Sequence, residues 1–382
     1  MKRLLLALLV AGAAYTLLYS QSVNTNAILR SVAANNKQLK AMAQQNSAAI
    51  MEMRAENTLG ATSVEYSPFF RSGASGVASS EFIVSQEFKL PAAYSARSKS
   101  ISLQQDALDK DYGLALSNLL LEAHNLCCDL QTVMQTTTLI NRRIDAADSL
   151  LAICHKRIRH GEATAMELNR VRIDSMTLQT ELLKNRSDIS QLKIALMELG
   201  ASEESLSASA TGGSGDTAHI PRSAELARAN AALTQAKQET TMAKREWLPT
   251  VTLGYRRNTE LSQASNGPLV GVSIPLFSNS RKIKASQLRQ SAAQLEVELA
   301  EHKLSTRRQA LQTEAEALQR QLGAYDTGLM DQSLQTLMRA VTAGELGIAE
   351  YYVESARIYT ILQERLASEN RYSKIQAELQ AL

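Results

Sequence analysis

The stretch HGEATAMELNRVRIDSMTLQTELL, residues His160 to Leu183, has a counterpart later in the chain, AGELGIAEYYVESARIYTILQERL, residues Ala343 to Leu366. At a constant offset of 183 residues, Gly161, Glu162, Glu167, Thr177, Glu181 and Leu183 match Gly344, Glu345, Glu350, Thr360, Glu364 and Leu366. Identities held at fixed spacing signal an internal duplication, and a duplication constrains the whole fold. In both copies a glycine stands where a helix would stop, and an acidic residue follows six positions later, in the first turn of the next helix.

Upstream of each copy lie two short runs with a period of two. Thr250 to Arg256 (TVTLGYR) alternates Val251, Leu253 and Tyr255 with Thr250, Thr252 and Gly254. Leu269 to Phe277 (LVGVSIPLF) sets Val270, Val272, Ile274 and Leu276 on one side. Such alternation is the mark of a strand with one apolar face. Ser262 to Pro268, with Asn266-Gly267-Pro268, reads as the hairpin loop between them. The first half echoes this pattern. Ala61 to Phe69 holds Val64 and Tyr66, Glu81 to Leu90 carries Phe82, Val84 and Phe88 in alternation with Ile83, Ser85 and Glu87, and a Gly/Ser loop, Arg71 to Ser80, joins the two.

The remainder is helical in character. No proline occurs between Ala92 and His160 or between Lys282 and Ala343, stretches far longer than an average helix. Apolar residues recur every seven positions at Leu288 and Leu295, at Ala292 and Leu299, and again at Leu304, Leu311, Leu318 and Tyr325, as in coiled-coil seams. Gly323 and Gly328 weaken that helix and predict a local bend. A helix of about 67 residues spans roughly 100 Å, and two shorter helices laid end to end match that length.

The chain is therefore expected to be mainly α with a small β part, organised as a helix, β-hairpin, long helix and helix, written twice. The first repeat, residues 21–200, has a helix at 25–56, strands at 61–69 and 81–90, a long helix at 92–160, a turn at 161 and a helix at 163–199. A loop at 201–220 (ASEESLSASATGGSGDTAHI) leads to the second repeat, 221–382, with a helix at 221–247, strands at 250–257 and 269–277, a long helix at 281–342, a turn at 344 and a helix at 347–380.

Composition narrows the function. Of 382 residues 45% are apolar, enough for a large core, which argues against a disordered chain. Seventeen glycines, 6 prolines and 4% aromatics are too few for the turns of a sandwich or propeller. The net charge of +3 with both signs interspersed creates no field for nucleic acid. Three cysteines, Cys127, Cys128 and Cys154, do not make a disulfide framework. Residues 1–20, MKRLLLALLVAGAAYTLLYS, place two positive charges before an apolar run, the layout of a secretory signal. No later stretch is apolar enough to span a bilayer as a helix, so any crossing must be made by strands.

The duplication, the segment Gly271-Val272-Ser273-Ile274-Pro275-Leu276-Phe277 followed by Arg281, Ile283 and Ala285, and the glycine turns at Gly161 and Gly344 resemble the outer-membrane efflux protein family, the TolC-like channel components of tripartite export systems. The resemblance covers about residues 25–382 and rests on the order and spacing of the motifs. It implies a homotrimer in which four strands per chain complete a twelve-stranded β-barrel in the outer membrane, above a periplasmic α-helical barrel. It implies an inner-membrane pump and a periplasmic adaptor protein as partners, and no cofactor. Elementary physics agrees on one point, since four strands cannot close a barrel and open edges are not tolerated in lipid. Phe82, Val84, Phe88, Val251, Leu253, Tyr255, Val270, Val272 and Ile274 are then expected to face lipid, with Ser85, Glu87, Thr250, Thr252 and Ser273 facing water.

By the same resemblance the helix-to-helix turns line the periplasmic mouth. Gly161, Glu167, Gly344 and Glu350 are the tip and gate candidates, because three copies would set six carboxylates around one axis, and rings of like charge select cations. The plainer reading is that each glutamate is a solvated carboxylate favoured at a helix N-terminus. The aromatic residue that often precedes the turn glycine by three in such channels is replaced here by Ile158 and Val341. Glu162, Ala163, Thr164, Glu345, Leu346 and Gly347 are the candidate adaptor-contact surface.

His124, Cys127 and Cys128 lie at i, i+3 and i+4 and could present soft ligands to a metal ion, although the apposed segment Leu192 to Ala195 supplies no further ligand. A buried thiol pair is the bland alternative. The sequence carries no phosphate loop, no nucleophile elbow and no paired histidines with a glutamate, so no enzymatic activity is expected. Two other classes share long coiled-coil hairpins. A periplasmic adaptor would show one hairpin flanked by compact β domains, and a structural coiled-coil protein an uninterrupted seam.

Overall fold

The computed structural model describes residues 23–73, 76–207, 220–245, 248–260, 263–274 and 279–382. The expected signal at 1–20, most of the 201–220 loop, and Pro275, Leu276 and Phe277 of the strand motif lie outside the described residues. The elements in chain order are α1 Thr25–Asn35, α2 Lys37–Ala55, β1 Ser63–Phe70, β2 Val77–Lys89, α3 Pro91–Arg159, α4 Ala165–Leu199, α5 Glu203–Ser207, α6 Ala224–Arg245, β3 Thr250–Glu260, β4 Gln263–Ser273, α7 Asn279–Gly323, α8 Thr327–Ala343 and α9 Ile348–Ala381.

Two compact units arise, one comprising Lys40–Leu114 and Ser223–Leu304, the other built from the remaining segments. The first holds the sheet. Its four strands follow one another in the order β1-β2-β3-β4, antiparallel throughout, so the hairpins of the two repeats join through β2 and β3. Register then fixes the faces. Val64, Val84, Tyr255 and Pro268 form one cross-strand row, Gln86, Leu253 and Val270 the next, and Phe88, Val251 and Val272 the third. Residues one step away point to the opposite face. There Ser63, Ser85, Gly254 and Leu269 make one row, Glu87, Thr252 and Gly271 another, and Lys89, Thr250 and Ser273 a third. One face is thus apolar and the other mostly polar, where Arg256 pairs with Glu81. The apolar face is bare, with Val64, Val270 and Val272 all exposed. Helices of this unit pack through small residues such as Ala96, Ala231, Ala236 and Ala293, and the buried Gln238 donates to the Ala96 carbonyl at 3.2 Å.

The second unit is a helical layer with its own core. Ile28 and Val32 of α1, Leu130 of α3 and Leu196 of α4 pack into one cluster. Leu150 of α3, Val171 of α4, Val341 of α8 and Ile348 of α9 form another, and α7 joins through Leu311 against Ile375. No helix of the described residues is long and apolar enough to cross a membrane.

Several boundaries differ from those expected. The helix placed at 25–56 is broken at Asn36. The buried Asn36 side chain accepts from Leu39 N–H at 2.8 Å, as an N-cap does, and donates to the Leu199 carbonyl at 2.9 Å, exchanging helix continuity for a link to the end of α4. Gly200 makes that approach possible. It has φ +112°, and a Cβ there would come within 2.9 Å of the Asn36 nitrogen. The long helix placed at 281–342 is interrupted over residues 324–326, because Gly323 ends α7 and Asp326 starts α8 by accepting from Leu329 N–H at 2.9 Å. Of the loop placed at 262–268, residues 263–268 are instead strand. Asn266, Gly267 and Pro268 pair with Arg257, Arg256 and Tyr255, and β4 spans 263–273 rather than 269–277. β2 begins at Val77 rather than at residue 81, and the loop expected at 201–220 contains the one-turn helix α5.

Candidate functional site

The two turns that join long helices are built alike. α3 ends at Gly161, whose φ is +77°. Gly161 N–H donates to the Ile158 carbonyl at 3.0 Å and Glu162 N–H to the Arg157 carbonyl at 2.9 Å. α8 ends at Gly344, whose φ is +86°, with Gly344 N–H on the Val341 carbonyl at 3.1 Å and Glu345 N–H on the Ala340 carbonyl at 2.9 Å. Both are Schellman-type ends that need a left-handed residue after the helix. Three residues beyond each glycine comes the N-cap of the next helix. Thr164 N–H donates to Glu167 Oε2 at 2.8 Å while Glu167 N–H donates to Thr164 Oγ1 at 3.3 Å, a full capping box. Gly347 has no side chain, so only half the box forms there, with Gly347 N–H donating to Glu350 Oε2 at 3.3 Å.

The gate candidates Glu167 and Glu350 are therefore held by the first turns of α4 and α9. Glu162, Thr164, Glu345 and Gly347, together with Gly161 and Gly344, are exposed, while Ala163 and Leu346 are half-buried. These candidates do come together, because the two turns are linked. The Arg157 guanidinium donates to the carbonyl of Val341. Arg142 of α3 pairs with Asp331 of α8 at 2.8 Å, and farther along Lys374 of α9 meets Asp129 of α3 at 2.6 Å.

Near the turns α3, α4 and α9 line a half-open cavity of about 320 Å³. Arg143 lies 3.9 Å from Asp174 and 3.5 Å from Glu181, with its guanidinium 5.2 Å from the Tyr359 ring centroid. Arg170 stands 5.7 Å from the Tyr352 ring, and Tyr351 meets Tyr352 edge to face at 5.8 Å. Burial pushes the Asp174 carboxyl above the usual carboxylate range, opposed by Arg143 and by the Tyr352 hydroxyl. Burial likewise raises the phenols of Tyr351, Tyr352 and Tyr359. The sequence reading missed this group. Its trace there is the Arg142-Arg143 pair within the long helix and the Tyr351-Tyr352 pair just after a turn.

His124, Cys127 and Cys128 sit on α3 away from these features. Burial lowers the His124 pKa and pushes the Cys127 thiol up to about 12 and the Cys128 thiol up to about 11. Thiols held in that state are poor ligands, because a metal binds the thiolate. Among the described residues no group of three His, Cys, Asp or Glu is placed to hold a metal ion. The nine strand residues expected to face lipid behave differently. Eight share the apolar face of the sheet, and Ile274 follows directly after β4 and is exposed.

No protein-family model matches the chain, and no curated protein matches it. Solved structures do. A membrane protein from Pseudomonas aeruginosa is 15% identical, with a TM-score of 0.75 over 94% of this chain and 90% of that one. The outer membrane protein VceC from Vibrio cholerae is 14% identical, with a TM-score of 0.72 over 93% of this chain and 94% of its own. The open state of the MtrE outer membrane channel from Neisseria gonorrhoeae is 14% identical, with a TM-score of 0.69 over 94% and 88%. Over 93–94% of its length the chain has the fold of these solved membrane proteins, the VceC outer membrane protein and the MtrE outer membrane channel among them.

Proposed function

We propose that this chain is the outer-membrane channel subunit of an export system, a passive duct assembled from three copies. The observation that carries the reading is the sheet, whose faces segregate by polarity while its edge strands β1 and β4 have no further strand partner among the described residues. A bare apolar face suits lipid, and open edges must be paired before a sheet can enter it. Strands of 8 to 13 residues match the roughly 9–11 that cross a bilayer when tilted. Three copies would supply a closed barrel of twelve strands in the outer membrane, with the helices reaching into the periplasm. Exposed seam residues fit the same stoichiometry: Leu288 and Leu295 on α7, and Met176 and Leu183 on α4, are all exposed in the single chain, as coiled-coil faces awaiting a neighbour would be.

In this reading energy comes from an inner-membrane pump, and a periplasmic adaptor contacts the turn residues Glu162 to Thr164 and Glu345 to Gly347. The adaptor and structural-coil readings are not favoured, since neither accounts for two hairpin units whose strands join in one two-faced sheet. The test is reconstitution. Protein extracted from the outer-membrane fraction should run as a trimer and open discrete conductance steps in planar bilayers. A soluble monomer that leaves bilayers silent overturns the reading.

A further inference from the structure

The cavity among α3, α4 and α9 is not a turn, a cap or a strand, and none of the roles above uses it. Its volume of about 320 Å³ lies at the lower end of ligand-sized pockets, which start near about 300 Å³. Its walls are of two kinds. Leu150 and Ile173 give apolar sides, and Tyr352 offers a partly open ring, with Tyr351 and Tyr359 buried behind it. The charged groups are unequally engaged. Arg143 is committed to Asp174 and Glu181. Asp174, the one carboxylate in the lining, faces both Arg143 and the Tyr352 hydroxyl. Arg170 is different. Among the described residues it has no ion-pair partner, and its guanidinium lies over the Tyr352 ring. Glu350 and Glu354 line a separate, shallower groove on its other side, and Glu350 already accepts from Gly347 N–H.

A guanidinium lying over a tyrosine at the edge of an aromatic-walled hollow is a seat for an acid group attached to a flat ring. The cation takes the carboxylate with charge-assisted hydrogen bonds, and the rings take the body by edge-to-face or offset stacking. We propose that this cavity binds a small planar aromatic monoanion of the aryl-carboxylate class, with its carboxylate on Arg170 and its ring system against Tyr352 and Ile173. A cation of the same shape would meet Arg170, the guanidinium without an ion-pair partner, in place of the charge-assisted contact that the acid makes. All the lining residues belong to the helical unit, so the proposal stands apart from the channel reading.

The test uses the full chain in detergent micelles, with 2-naphthoate as probe and 2-naphthylmethylammonium as its charge-reversed counterpart. Ligand-observed NMR and calorimetry against empty micelles should give saturable binding of the acid with a Kd of about 1 mM or tighter, the range for a two-ring compound, and none of the amine. Arg170 is exposed, so Arg170→Gln keeps the fold and should weaken the acid about tenfold, the value of one charge-assisted contact. Ile173→Trp, which fills the hollow from an exposed position, should abolish binding with the melting temperature unchanged. Equal uptake of acid and amine, or no saturable uptake of the acid by the native chain, overturns the proposal. Undiminished binding in both variants overturns it too. Conductance in planar bilayers is a separate readout, so failure here leaves the channel reading untouched.

Discussion

Arg157, in the last turn of α3, donates its guanidinium to the carbonyl of Val341, in the last turn of α8. The residue that ends one long helix thus caps the end of the other. A helix leaves its final carbonyls without intrahelical partners, and a cation there also complements the helix dipole. The corresponding position in the second repeat is Ala340, so the link runs in one direction only, and the duplicated turns are not energetically equivalent.

Arg157→Ala is expected to loosen the second turn more than the first. The half-buried arginine is worth about 1 kcal/mol here, the scale of a charge-assisted hydrogen bond partly open to water. Hydrogen exchange followed by mass spectrometry should speed up over residues 341–347 and stay unchanged over 158–164. Equal acceleration at both turns, or none, would show that the contact does not hold the tip.

The two turn glycines make a matched experiment. A Cβ at Gly161 would meet nothing within 4 Å, and one at Gly344 would meet only Arg157 Nη2 at 3.6 Å, an ordinary contact. Any cost of alanine therefore comes from the backbone, which sits at positive φ, and should be about 1 kcal/mol at either site. Thermal unfolding of Gly161→Ala and Gly344→Ala should show similar losses, with asparagine costing less than alanine at both positions. A loss confined to one of them would mean that something other than φ decides.

The same contrast between local and distant causes governs what could be read from the amino acids alone. A left-handed glycine followed by a cap is a signal written within six residues, so both turns were legible. The Asn266-Gly267-Pro268 run is a turn by local preference, yet it is strand, because pairing with Tyr255 to Arg257 outweighs that preference and Pro268 lies on an edge strand, where proline is tolerated. The breaks at Asn36 and Asp326 hinge on one capping side chain each, a weak signal inside long helical runs. The cavity was invisible for a stronger reason, since Arg143, Arg170 and Tyr352 meet only through the packing of three helices.

Asp174 gives a pH prediction with a definite sign. Burial raises its pKa above the ordinary carboxylate value, with Arg143 and Tyr352 pulling the other way. A raised native pKa means that the folded state holds the proton more tightly than the unfolded chain. The resulting stability is fully present below the unfolded value and is lost as pH rises through the native one. Asp174→Asn cannot suffer that loss. Its melting temperature relative to the native chain should therefore be higher at about pH 7 than at about pH 4. A difference that is flat or reversed in sign between the two would mean that the Arg143 pairing outweighs burial.

The two faces of the sheet predict opposite tolerance to charge. Leu253 lies on the apolar face between Gln86 and Val270, and Ser85 on the polar face between Ser63 and Gly254. If the apolar face meets lipid, Leu253→Arg should cost about 2–4 kcal/mol near the bilayer midplane and reduce assembly into vesicles. Ser85→Arg should assemble normally. Equal assembly of the two variants would remove the lipid-facing assignment.

Glu167 and Glu350 carry two roles that a pair of substitutions can separate. Each carboxylate accepts a backbone N–H at the start of its helix, so alanine removes both the cap and the charge, at about 1 kcal/mol for the cap. Glutamine keeps an oxygen acceptor at the same place and removes only the charge. The Glu167→Gln and Glu350→Gln double variant should therefore melt near the native chain. If three copies gather six of these carboxylates at the mouth, it should also show a reduced preference for cations in single-channel recordings, because the ring of negative charge is gone. Loss of stability without change in ion preference in the alanine variants, together with native selectivity in the glutamine pair, would leave helix capping as the whole role of both residues.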